Sequence, residues 1–142
     1  MLIARKTYNS KNLFVVSAHI ETIKNAFADT VYLEFYKEFQ QDSKISMKVS
    51  STTLRAIAFA MQNLVEKGST NFKKTNSSQG GTKTLSFNLT QDGNYFINMQ
   101  SGNEKRYFQT DAYMFEAMAK DIALIADVTQ KALYSEQQKQ PI

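Results

Sequence analysis

The chain has no cysteine and one histidine, His19, among its 142 residues. Without thiols there is no disulfide and no thiolate-bound metal. One imidazole cannot build a multi-histidine zinc site, and a Ser-His-Asp triad would depend on His19 alone. A strand-end histidine near the surface is the plainer reading. No uninterrupted apolar stretch approaches the roughly 18–20 residues that cross a bilayer. The segment Met1-Leu2-Ile3-Ala4-Arg5-Lys6 also lacks the apolar centre of a secretory signal. A soluble, cytosolic protein without membrane association is expected.

Catalytic signatures are equally scarce. Gly80-Gly81-Thr82-Lys83 lacks the first glycine of a phosphate loop and precedes a strand instead of a helix. There is no dinucleotide fingerprint. Glu34 and Glu38 lie four apart, but Tyr32, Tyr36 and Lys37 beside them mark a solvated strand face rather than a metal site. No catalytic residue, metal or cofactor is expected, and the chain reads as a non-enzyme.

What is present is a mild basic excess and many aromatic rings. The net charge is +4 with a hydrophobic fraction of 42%, a composition that folds and leans towards an anionic partner. The length fits one domain, about residues 1–135, followed by a flexible tail over 136–142.

The order of elements is given twice, over about 1–67 and 69–134. In the first half, Leu2–Tyr8 and Leu13–Ile20 read as a hairpin around Asn9-Ser10-Lys11-Asn12. Glu21–Asp29 is ambiguous, with Ile23, Ala26 and Phe27 at helical spacing. Thr30–Phe39 alternates, with Val31, Leu33 and Phe35 on one side and Tyr32, Glu34 and Tyr36 on the other. Lys44–Val49 alternates again. Ser50 or Ser51 caps a helix over Ser51–Lys67, whose Leu54, Ile57, Ala58, Met61 and Leu64 share a face, and Gly68 stops it.

In the second half, Thr70–Thr75 reads as a strand and Asn76–Thr82 as a polar, mobile loop. Leu85, Phe87 and Leu89 alternate, Asp92-Gly93 turns the chain into Tyr95–Gln100, and Lys105–Gln109 follows. A final helix spans roughly Asp111–Tyr134. Its apolar stripe, with Met114, Met118, Ile122 and Ile125 widened by Phe115, Ala119, Ala123 and Ala126, exceeds what packing on one sheet requires. Part of it should meet a second helix or another subunit. Four strands, a helix, four strands and a helix give an α+β class with antiparallel sheets.

Basic and aromatic residues adjoin each other on several strands: Arg5-Lys6-Thr7-Tyr8, Tyr32 through Phe39, Phe72-Lys73-Lys74 and Lys105-Arg106-Tyr107-Phe108. Rings stack on bases while basic groups follow phosphates, which suits single-stranded nucleic acid with little sequence preference. Lys6, Lys73, Lys74, Lys105 and Arg106 are the expected phosphate contacts; Tyr32, Tyr36, Phe72 and Tyr107 are the expected stacking rings. Taken singly, each has a plainer role, since rings pack sheet cores and strand lysines guard edges. Recurrence in both halves favours the binding reading.

In this architecture the chain resembles the Whirly single-stranded DNA-binding family, in particular its members from small lactococcal phages. The resemblance runs over about Leu2–Tyr134. It rests on Lys44–Met61, Ser69–Lys74, Lys83-Thr84-Leu85-Ser86-Phe87, Gly93-Asn94-Tyr95-Phe96-Ile97, and Arg106-Tyr107-Phe108 leading into the last helix. It implies two antiparallel four-stranded sheets packed crosswise, a homotetramer built through the helices, and DNA running along the sheets and between neighbouring subunits. A role in phage DNA replication or recombination follows, with proteins of those processes as candidate partners. Leu13–Ile20 carries no Lys-Gly-Lys-Ala-Ala-Leu motif of the plant members, so no assembly beyond the tetramer is implied. The chain ends Gln-Lys-Gln-Pro-Ile, without the acidic tail by which OB-fold binding proteins recruit partners. The alternatives are an RNA-binding or transcription-coactivator role on the same sheet, and a structural or assembly protein whose charge is incidental.

Overall fold

A computed structural model describes residues 1–78 and 81–139. Its strands are β1 (Leu2–Asn9), β2 (Leu13–Ile23), β3 (Ala26–Tyr36), β4 (Ile45–Val49), β5 (Lys73–Ser78), β6 (Gly81–Leu89), β7 (Tyr95–Ser101) and β8 (Glu104–Thr110). Helix α1 (Ser51–Lys67) follows β4, and α2 (Ala112–Gln138) follows β8. The strands form two antiparallel four-stranded sheets in the orders β1-β2-β3-β4 and β5-β6-β7-β8. Each sheet is followed by a helix, and the class is α+β.

Local chemistry sets the boundaries. The Ser50 hydroxyl accepts the Thr53 N–H at the start of α1, and Gly68 ends the helix at φ 76°, a left-handed position a side chain resists. Asp111 caps α2 by accepting the Met114 N–H. The ambiguous stretch 21–29 is the tip of a hairpin. Lys24 and Asn25 take φ values of 52° and 68°, the two consecutive left-handed residues of a tight hairpin turn. β2 therefore continues through Ile23, and the helical spacing of Ile23, Ala26 and Phe27 is coincidental.

Two further expectations change. Asn76–Ser78 belongs to β5 and 81–82 to β6, paired as far as Ser78↔Gly81, so the expected loop is mostly a hairpin. Hydroxyl pairs across it, Thr75 with Thr84 at 3.2 Å and Ser77 with Thr82 at 3.3 Å, bind the arms together. Residues 79–80 lie outside the described residues. At the C-terminus α2 runs through Gln138 instead of ending near Tyr134, so 136–138 is helix rather than tail; 140–142 lie outside the described residues.

The sheets and helices share a single core. Phe14, Val16, Leu33, Phe35 and Met47 face it from the first sheet, and Leu85, Phe87, Ile97 and Met99 from the second. Each large side chain buried there contributes roughly 1.5–3 kcal/mol. The helices run antiparallel, since Ser51, Arg55 and Gln62 of α1 bond Gln130, Asp127 and Glu116 of α2 in descending order. Helix α2 does not stay on its own sheet: it packs against β1, β2 and β3. Its first turns reach the second sheet, where Phe115 lies 4.9 Å from Tyr95 between ring centroids. The wide apolar stripe is thereby covered on several sides, while Met114 at its N-terminal end stays exposed.

The two sheets meet edge to face. β4 is the open edge of the first sheet, and carbonyls of this edge and of the turn before it accept bonds from three strands of the second. Asn76 Nδ2 donates to the Lys48 carbonyl at 2.7 Å, Lys83 Nζ to that of Ser46 at 2.5 Å, and Arg106 Nε to that of Ser43 at 2.8 Å. Among the described residues no helix is long and apolar enough to cross a membrane.

Candidate nucleic-acid interface

Strand pairing fixes which side chains share the outer face of the second sheet. One row across β5, β6, β7 and β8 is Lys73, Ser86, Asn98 and Tyr107. The next is Thr75, Thr84, Gln100 and Lys105, and on the other side lie Asn88, Phe96 and Gln109. None of these rows contains a carboxylate. Lys73 and Lys105 are exposed and make no ion pair with a described residue. Between them lies a groove of about 340 Å³, walled by Ser86, Asn98, Gln100 and Tyr107.

The Phe96 and Tyr107 rings sit 5.7 Å apart, tilted by 54°. Beside them Asn98 Nδ2 donates to Asn88 Oδ1 at 2.7 Å. The surface thus pairs π faces with neutral donors and acceptors and two ammonium groups. Bases stack on such rings, and phosphates find cations at the margins.

Three expected residues, Lys73, Lys105 and Tyr107, come together here. The others do not. Arg106 borders the groove, but its guanidinium turns inward and is spent on the Ser43 and Lys105 carbonyls, both at 2.8 Å, and on Glu104 at 3.1 Å. Lys74 pairs with Leu85 on the inner face and is half-buried. Phe72 packs on Phe87, 5.9 Å between centroids, as part of the core wall. Lys6 lies on the helix-facing side of β1, 3.9 Å from Asp121 and 6.0 Å from the centre of the Tyr8 ring. Tyr8 donates to Asp121 at 3.0 Å; burial first, and the neighbouring carboxylate second, push its hydroxyl pKa well above the usual tyrosine range.

On the first sheet, Tyr32 keeps its outward position in a row with Arg5, Ser17 and Lys48. Its hydroxyl reaches Glu21 at 3.5 Å, and His19 meets its ring edge-on at 5.6 Å. His19 is half-buried within β2, not at a strand end. Tyr36, expected to be exposed by the same alternation, is only 6% accessible. β8 lies against β3 at that end, so outward parity does not lead to solvent. Glu21 and Glu34 also make this face partly anionic, though Lys44 offsets Glu34 at 3.4 Å. The second sheet is the better platform for a polyanion.

Phe96 was missed at the sequence level. Its signal was available: Tyr95, Ile97 and Met99 alternate inward, which puts Phe96 and Asn98 outward.

Fold and face together define a class by geometry, an α+β protein presenting a sheet face with half-buried aromatic rings and exposed lysines. No family model matches the chain, and no curated protein is significantly similar to it.

Proposed function

We propose that this chain is a single-stranded DNA-binding protein without sequence specificity, acting on intermediates of phage DNA replication or recombination. The observation that supports this best is the outer face of the second sheet, where Lys73, Lys105 and Tyr107 line a groove, Phe96 lies against Tyr107, and no carboxylate opposes them. In this reading Tyr107 and Phe96 stack on bases, and Lys73 and Lys105 pair with phosphates. Tyr32 offers a secondary contact on the first sheet.

The protein is proposed to work as a homotetramer joined through its helices. Phe59 on α1 is 66% exposed and Leu124 on α2 is 62% exposed. Phe59 borders an apolar groove of about 160 Å³ between the helices, closed by Ala58, Ala119 and Ala123. Clustered exposed apolar side chains of this kind mark association surfaces.

Fluorescence-anisotropy titration tests the binding reading with labelled oligo-dT, the matched RNA strand and duplex DNA at several salt concentrations. Tight binding to the DNA strand, weakened by salt and far weaker on duplex, is the expected result. Equal affinity for duplex would overturn it. Preference for the RNA strand would move the function to the RNA-binding alternative.

A further inference from the structure

The groove on the second sheet does not end at β8. Lys105, Arg106 and Tyr107 wall it on one side and, on the other, wall a second hollow of about 220 Å³. That hollow is completed by residues of the first sheet's turns: Lys11, Asn12, Lys37 and Glu38. Buried Asn12 ties its walls together. Its Nδ2 donates to the Tyr107 carbonyl at 3.0 Å, and its Oδ1 accepts the Glu38 N–H at 2.9 Å. The turn between β1 and β2, the end of β3 and the edge of the second sheet are therefore held as one unit.

Charge decides where a bound strand would leave the sheet. Lys11, Lys37 and Lys105 are exposed, and none forms an ion pair with a described residue. They outnumber the one carboxylate there, Glu38. The other exit past Arg106 is lined by Asp42 and Glu104, and its cations are committed: Lys83 to the Ser46 carbonyl, Lys44 to Glu34, Arg106 to Ser43 and Glu104. That side is close to charge-balanced, and a polyanion is drawn more strongly to the first. Glu38 takes φ 56°, and the next residue, Phe39, is left 67% exposed in the loop. An exposed ring one residue beyond Glu38 of the hollow's wall has the chemistry of a further stacking position.

We infer that the DNA strand passes over the edge of β8 and places phosphates in a subsite formed by Lys11, Lys37 and Lys105, with Phe39 stacking beyond it. The inference rests on the binding role of the second sheet and extends the contact to the first. The subsite adds two ammonium contacts, from Lys11 and Lys37, to those the sheet face supplies. For single strands the log–log salt slope changes by about 0.7 per phosphate contact, so the two lysines account for about 1.4.

The test compares wild type with Lys11→Ala/Lys37→Ala, Phe39→Ala and a control, Lys24→Ala/Lys67→Ala, that loses the same charge elsewhere. Each is titrated with oligo-dT of about four and about twelve nucleotides, within the range of site sizes on single-strand binding folds. The double variant should bind the longer strand roughly tenfold more weakly with a slope lower by about 1.4, and the short strand as wild type does. Phe39→Ala should weaken the longer strand alone, with the slope unchanged. Equal losses in the control, or an unchanged slope for Lys11→Ala/Lys37→Ala, would overturn the subsite while leaving the sheet's role intact. No binding of either length by wild type would overturn both.

Discussion

Lys83 Nζ donates to the carbonyl of Ser46, joining the inner face of one sheet to the open edge of the other. An unpaired strand edge is a template for another chain, and here Asn76 and Lys83 occupy it with side chains while Arg106 holds the turn before it. Lysine and arginine thus serve two ends on the second sheet. Lys83 and Arg106 point inward and hold the sheets together, while Lys73 and Lys105 point outward and make no ion pair with a described residue.

Lys83→Met should remove the cap without removing bulk. Urea unfolding is expected to show a loss of about 1–2 kcal/mol, since a carbonyl loses a charged donor. Affinity for oligo-dT should stay within about twofold. A large affinity loss with intact stability would reverse the assignment.

Adjacent residues on β8 should separate in the same way. Lys105→Ala should leave stability within about 0.5 kcal/mol of wild type and lower the salt slope of oligo-dT binding by about 0.7. Arg106→Ala, which strips donors from Ser43 and Glu104, should chiefly lower the urea midpoint.

Tyr107→Leu and Phe96→Leu test the rings. Stacking is worth roughly 1–3 kcal/mol per base, so each should weaken oligo-dT binding from severalfold to about a hundredfold, while Tyr107→Phe should bind as wild type. Phe72→Leu, a change in the core wall, should cost stability instead. Anisotropy and urea melts on the same preparations distinguish the two kinds of loss.

Buried Tyr8, donating to the half-exposed Asp121, makes stability depend on alkaline pH. The folded-state pKa of Tyr8 is raised above its ordinary value of 10.0, so the unfolded chain releases this proton first as pH climbs. The contribution is complete below pH 10 and diminishes above it, by at most about 1.4 kcal/mol per pH unit. Urea midpoints from pH 8 to 11 should fall more steeply in wild type than in Tyr8→Phe. Parallel curves would exclude the linkage.

Phe59→Glu places a charge beside the groove between the helices. Light scattering after size exclusion is expected to give a smaller species than wild type, with far-UV circular dichroism unchanged. A wild-type mass of one chain would remove the helix pair as an assembly surface.

Much of the fold could be read from local signals. Ser50 and Gly68 bracket α1 at its observed ends, and the parity of Val31, Leu33 and Phe35 gives the core face of β3. The Lys24-Asn25 turn escaped because it contains no glycine. The site was less legible, for a different reason. Arg106 and Lys105 look equally suited to phosphate, and what separates them is the Ser43 carbonyl in the turn before β4, brought near only by tertiary packing. Tyr36 was misread on the same ground: β8 covers an outward position that belongs, in sequence, to a distant strand.

Placing α2 across β1, β2 and β3 has a consequence for synthesis. The bond from Tyr8 to Asp121 spans 113 positions, so the first sheet leaves the ribosome long before the helix that covers it. At 5–20 residues per second, that interval is on the order of ten seconds. For that time Phe14, Val16 and Leu33 lack the cover of α2, and only α1 and the strands of the second sheet, as they emerge, can shield them. Until then the nascent chain carries apolar surface open to aggregation, and the C-terminal helix ends that exposure.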